Sequence, residues 1–286
     1  MPADKVIGML IVVLIVAVSC GFFAGGFAAV GVLTYNRLVH PLRVRAWYRL
    51  PSRPRIDPLD LGDADRDVAD FFREQVAALR PLGFEPPAYY ISRESTPDVT
   101  AHYAYLVNRE NSVMASAVAW FLSAGGPTGC SLSFDNRYSS DTHVITSNDN
   151  AMPFYALPDG TVLTQVPSVR DPAELYSLHL AVLAEVTPAG APVCCQPGRE
   201  IEYLREVDHD PFYEEQVRRG LFHYDDALAA HTLTLRGAYR LVWGELWPLK
   251  GVRARRMRRE ERRVLAEFRA AHDNSPSDPE ATRGLP

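Results

Sequence analysis

The feature that most constrains this chain is an uncharged run of 30 residues, Val6 to Tyr35. A helix crosses the ~30 Å hydrocarbon core of a bilayer with about 20 predominantly apolar residues, and a run this long extends ~45 Å as helix. The run predicts a single N-terminal transmembrane helix, centred on residues 8–33, with the surplus taken up by tilt or by turns beyond the bilayer. A cleaved secretory signal fits less well. Its apolar region is about 7–15 residues long after a basic start, whereas here Lys5 stands beside Asp4 and the run is far longer. Gly21, Gly25 and Ala29 recur every four residues, a small-residue face on which two such helices approach closely. Homodimerisation through this face is one expected partnership, alongside the lipid bilayer itself.

Charge sets the expected orientation. Only Lys5 precedes the run, whereas Arg37, Arg43, Arg45, Arg49, Arg53 and Arg55 follow it. An excess of basic residues marks the cytoplasmic side. The expectation is a single-pass protein of the cell membrane, N-terminus outside and C-terminal domain cytoplasmic. Residues 249–263 carry eight bases against Glu260 and Glu261. The two basic segments hold +12 of a net −5, so the rest of the chain carries −17. An acidic body with basic flanks fits anionic lipid headgroups as a partner. It argues against nucleic acid, whose binders more often carry a basic body.

The chain as a whole, with 47% hydrophobic and 23% charged residues, composes a folded protein rather than a disordered one. Its patterning predicts an α+β fold: an antiparallel sheet flanked by helices, then a helical C-terminal segment. The domain boundaries read as a transmembrane anchor (1–35), a basic, proline-punctuated juxtamembrane linker (36–62), an α+β domain (63–190), a mainly helical region with a basic end (191–270) and a disordered tail (271–286). Val68, Phe71, Phe72, Val76 and Leu79 form one helical stripe, ended by Pro81 and Gly83. Residues 100–107 and 112–122 flank the polar turn 108–111, a hairpin signal. Asp171, Pro172 and Glu174 open a helix whose buried face is Leu175, Leu178, Ala181, Val182 and Val186.

The chemistry-bearing candidates are few. Tyr239, Trp243 and Trp247 lie four residues apart, followed by Arg253, Arg255, Arg256, Arg258 and Arg259, the composition of an interfacial helix. These eight residues are the candidate membrane-surface contact; packing in a core helix competes with that reading. Cys194 and Cys195 show no partner base, and no CxxC spacing supports a zinc site. Asp208, His209, Asp210, Glu214, His223 and His231 combine carboxylate and imidazole, without the spacing of a known metal motif. Residues 125–129 are glycine-rich but lack the Lys and Ser/Thr of a phosphate loop. No catalytic, cofactor or metal residue is therefore assigned. Residues 220–226 and 231–237 resemble the wing of a winged-helix module followed by its last helix, although Glu214 and Glu215 stand where a DNA-binding helix would carry bases.

The leading functional reading is a membrane-anchored interaction or scaffolding domain, with an unknown protein partner and no enzymatic centre. One alternative is an enzyme without a short signature, using a cleft of the α+β domain and His102, His143, Cys194 or Cys195. The other is a membrane-tethered regulator using the wing-like segment.

Overall fold

A computed structural model of the chain describes residues 31–273, apart from 33, 86–87, 97–98, 123–126, 151–156, 197, 206–209 and 247. A π-helical stretch, Tyr35–Val39, runs directly into α1 (His40–Trp47). Two short strands follow, β1 (Arg49–Pro51) and β2 (Ile56–Pro58). Next comes α2 (Arg66–Leu79), whose first turn is capped by the Asp65 carboxylate accepting from Asp67 N–H at 3.0 Å. The chain then lays down β3 (Ala88–Thr96), β4 (Val99–Asn108), β5 (Val113–Leu122), β6 (Pro127–Tyr138), β7 (His143–Ser147) and β8 (Thr161–Gln165). It continues through α3 (Pro172–Val186), β9 (Pro192–Val193), α4 (Glu200–Leu204) and α5 (Asp210–Arg218). The hairpin β10 (Phe222–Asp225) and β11 (Ala230–Leu233) precedes α6 (Leu235–Glu245) and α7 (Leu249–Asp273).

The membrane expectation is corrected here. Among the described residues no helix is long and apolar enough to cross a bilayer. Most of the predicted anchor, including Gly21, Gly25 and Ala29, lies outside the described residues. Val32 and Tyr35 at its described end are exposed, and the residues that follow, in the π-helical stretch and α1, lie against α6. Tyr35 stacks on His40 at 6.4 Å and accepts a hydrogen bond from Arg43. The single-pass fold class, the membrane-anchored function and the cell-membrane location with a cytoplasmic domain are accordingly withdrawn.

The main sheet has the order β2-β3-β4-β5-β6-β7-β8, with β9 paired to the end of β6. Neighbours from β2 to β7 are antiparallel, but β7 and β8 run parallel, so the all-antiparallel expectation is also corrected. Asp159-Gly160 does form a turn, with Gly160 at φ 84° and Thr161 N–H bonded to Pro158 O. It follows a long connection after β7 rather than a hairpin, and the chain re-enters in the same direction.

Side-chain alternation gives the sheet two unlike faces. On one, Ala115, Ala117 and Ala119 of β5 are fully buried. Their small size lets α2 and α3 approach, and Phe72, Leu79, Leu106, Leu132, Phe134, Leu175 and Leu178 fill the space between. Each fully buried Phe or Leu here contributes roughly 1.5–3 kcal/mol relative to exposure. The opposite face carries Tyr90, Tyr105 and Met114, covered in part by Leu204 of α4. A second, smaller core joins α1, α6 and the three-stranded sheet β1-β11-β10 through Val44, Leu50, Leu221, Phe222, Leu233 and Val242. The wing-like hairpin therefore exists, but β1 pairs with its second strand. Thr234 caps α6 through Gly237 N–H, and Gly237 lies so close to the Leu221 carbonyl that a Cβ would collide with it.

A polar group stands at the centre of the helix-covered face. His179 of α3 is fully buried between Leu175, Leu178 and Val182. Its Nε2 lies 2.7 Å from Asn136 Oδ1, and its Nδ1 3.0 Å from Thr146 Oγ1. Asn136 spends its amide N–H groups on the carbonyls of Asn111 and Ser112. Its oxygen must therefore accept, which makes His179 the Nε2–H tautomer with Thr146 donating to Nδ1. Burial, and secondarily His143, lowers the His179 pKa to about 3.

The sign of the consequence is fixed. Below the ordinary imidazole pKa of 6.5 the unfolded chain binds a proton that the folded chain refuses, so stability falls with falling pH until about pH 3. Denaturant melts of the wild type and of His179→Gln from pH 7 to pH 3 measure this. The wild type should lose on the order of 4 kcal/mol more than the variant across that window. Parallel profiles would contradict the assignment.

Candidate functional site

The open face of the sheet ends in a cavity of about 580 Å³. Its floor is the outward row of β4 to β8: Tyr103 and Tyr105, Met114 and Ser116, Ser133, Asp135 and Arg137, His143 and Ile145, then Thr161. Strand pairing makes this floor. Tyr105 stands opposite Ser116, Ser116 opposite Ser133, Asp135 opposite Ile145, and Arg137 opposite His143. Phe212 and Glu214 of α5, Leu204 of α4 and the turn 157–159 form the walls.

The small side chains of Ser116 and Ser133 leave the space that a Leu or Phe row would fill. Tyr103 and Tyr105, two residues apart on one strand, stack with ring centroids 5.4 Å apart and planes at 7°. Asp135 is 8% exposed. Its Oδ1 is buried and receives no hydrogen bond among the described residues; His143 Nε2 approaches it at 3.4 Å without hydrogen-bond alignment.

The rim is held by charge. Arg218 and Arg219, at the end of α5, each pair with both Glu215 and Asp159. Arg219 also reaches Leu157 O at 3.3 Å. These bonds tie α5 to the turn before β8. Hydrogen bonds from Arg218 and then Arg219 hold the Glu215 carboxyl below its usual range. Glu215 is buried while Arg218 and Asp159 are exposed; such partly exposed pairs are worth little singly, and a shared network fixes geometry better than an isolated pair.

The structure scatters the candidate enzyme residues. His143 lies in the cavity. His102 sits on β4 with the alternation of the helix-covered face, its ring 4.7 Å from Phe121, and burial lowers its pKa. Cys194 and Cys195 follow β9. Arg109, itself paired with Glu85, donates to Cys195 O at 2.8 Å. Burial, reinforced by Glu200 and Cys194, pushes the Cys195 thiol up to about 11. Such a thiol is poorly ionised at neutral pH and is not an activated nucleophile. Of the carboxylate–imidazole candidates, Asp208 and His209 lie outside the described residues. His231 stacks on Tyr213 at 4.5 Å. Among the described residues, no group of three or more His, Cys, Asp or Glu side chains is placed to hold a metal ion.

The aromatic and basic candidates occupy different surroundings. Tyr239 and Trp243 of α6 donate to the carbonyls of Leu38 and Arg37, at 3.3 and 2.9 Å, and so clasp the π-helical stretch. Trp247 lies outside the described residues. α7 turns Glu261, Val264, Leu265 and Phe268 inward, with Glu261 accepting from Ser168 N–H at 2.8 Å. Arg255, Arg256, Arg258 and Arg259 point outward, and Arg253 is half-buried.

Neither the family models, nor the curated proteins, nor the solved structures compared with this chain contain a match. Sequence reasoning named His143 but missed Asp135. The available signal was the run Ser131, Ser133, Asp135, Arg137, a polar row alternating with Leu132, Phe134 and Asn136 along one strand.

Burial of Cys195 has a direct readout. Alkylation of the folded protein at pH 7, followed residue by residue by mass spectrometry, should modify Cys195 roughly a hundredfold more slowly than free cysteine. A rate equal to or above that of free cysteine would contradict the burial described.

Proposed function

We propose that the chain is a small-molecule-binding protein whose ligand occupies the cavity between the β4–β8 face and α5. The observation that carries this reading is Asp135, a nine-tenths buried carboxylate on the floor of a 580 Å³ cavity with one oxygen lacking a hydrogen-bond donor among the described residues. An acceptor removed from water without a donor costs about 1–3 kcal/mol, and more when charged. A ligand that supplies the donor recovers that cost. The volume falls within the ~300–1,000 Å³ typical of organic ligands, and aromatic walls with a few convergent polar groups are the usual make-up of such sites.

The test is a fragment screen by ligand-observed NMR on the full-length protein and on Ser116→Phe. That variant places a ring in the cavity and leaves the helix-covered face untouched. Fragments should bind the wild type saturably and lose binding to the variant, with the melting temperature little changed. Equal binding to both proteins would contradict the site.

A second reading rests on a separate observation. Arg255, Arg256, Arg258 and Arg259 form one exposed face of α7 and make no ion pair among the described residues, unlike Arg263, which holds Glu260 and Glu267. Such a face is complementary to anionic lipid headgroups, with Leu249 and Val252 exposed at its start. Replacing the four arginines by Gln should abolish the preference for vesicles with acidic lipid over neutral vesicles, and the wild-type preference should fall with added salt. An unchanged preference would remove this reading.

A further inference from the structure

We infer that the ligand of the cavity is an organic cation carrying N–H donors, a protonated primary or secondary amine bearing an apolar or aromatic group. This inference rests on the binding reading above and names the chemistry that the site selects.

The lining is acidic. Asp135, Asp141, Asp159 and Glu214 face Arg137 and His143 across it. Asp159 is neutralised at the rim by Arg218 and Arg219, which leaves Asp135, Asp141 and Glu214 against one permanent cation. Within that excess, Asp135 is the acid removed from water: its side chain is 10% exposed. Its Oδ1 lacks a hydrogen-bond donor among the described residues and is buried on the cavity floor. A ligand ammonium supplies the missing donor together with a full positive charge, the combination that makes the strongest hydrogen bonds to a carboxylate. A metal cation would need several such ligands at once, and no cluster of them is placed together among the described residues.

The walls extend the argument. Tyr103 and Tyr105 on the floor, and Phe212 across from them, surround the space with aromatic surface. The negative face of an aromatic ring attracts a cation, more strongly where water is excluded. The same rings bury the apolar part of the ligand. An anion would meet three carboxylates here, and a neutral ligand would leave Asp135 with only the unaligned His143 ring 3.4 Å from its Oδ1.

The experiment uses the full-length protein and three matched probes: phenethylammonium, 2-phenylethanol and 3-phenylpropionate. They share a ring and a two-carbon spacer and differ in the polar end. Binding is followed by NMR titration at pH 7. Phenethylammonium should bind roughly tenfold or more tightly than the alcohol, and the carboxylate most weakly. Asp135→Asn should cost the ammonium roughly tenfold while changing the alcohol by less than about twofold. The order of the three probes on the wild type already decides the matter if that variant fails to fold. A carboxylate or alcohol that binds as tightly as the ammonium overturns the cation inference and leaves the binding reading standing. Absence of saturable binding by these probes and by every fragment of the wider screen overturns both.

Discussion

One hydrogen bond organises this fold. His179 reaches from α3 into the sheet and donates to Asn136, while Asn136 of β6 holds the β4–β5 turn through Asn111 and Ser112. The pair is sealed beneath Phe134, whose ring stacks on the imidazole at 5.9 Å. Tyr176, one turn earlier in α3, meets Asn108 and Asn111 at the same end of the strands. These polar contacts fix the register of α3 where apolar packing alone would tolerate sliding. A buried network of this kind specifies one arrangement only if each member is satisfied, and here both ring nitrogens and both amide hydrogens of the central pair have partners.

With α2 and α3 committed to one face, the other face is free to serve a different purpose. There the same strands present Ser116, Ser133 and Asp135 in place of bulky apolar groups, and α4 and α5 cover the surface incompletely. The cavity is the space between these two demands. Arg218 and Arg219 set its width by holding α5 to the turn at Asp159. The floor keeps a carboxylate away from water, which costs stability in the empty protein and confers selectivity on what fills it. A protein built only for stability would place an apolar side chain at position 135.

Much of the secondary structure was legible because local chemistry dictated it. The stripe through Val68 and Phe72, the cap at Asp171 and the hairpin turn after Asn108 all rest on neighbours in sequence. What the chain conceals is non-local. The parallel pairing of β7 and β8 depends on where the connection 148–160 returns, and no residue pattern announces that. The uncharged run invited a bilayer reading because its length and hydropathy match a spanning helix, and most of it lies outside the described residues. Tyr239 and Trp243, for which the sequence left a lipid surface and a core helix both open, bond to the carbonyls of Leu38 and Arg37 just past that run. His179 was hidden for a related reason: a histidine amid leucines reads as an interruption of a helix face, whereas its partner is 43 residues away. The cavity was half visible, through His143; Asp135 becomes meaningful only when β6 is known to lie between two layers.

The most direct test of this account is the state of His179, because the closed face, and with it the open one, depends on how that ring is held. Nitrogen-15 NMR of histidine-labelled protein across pH 7 to 4 reports tautomer and charge together. The account predicts a single neutral Nε2–H tautomer that persists throughout that range, consistent with a pKa near 3. A ring that titrates near 6.5, or that exchanges between tautomers, would show α3 loosely docked and would contradict the division of the sheet into a locked face and a binding face.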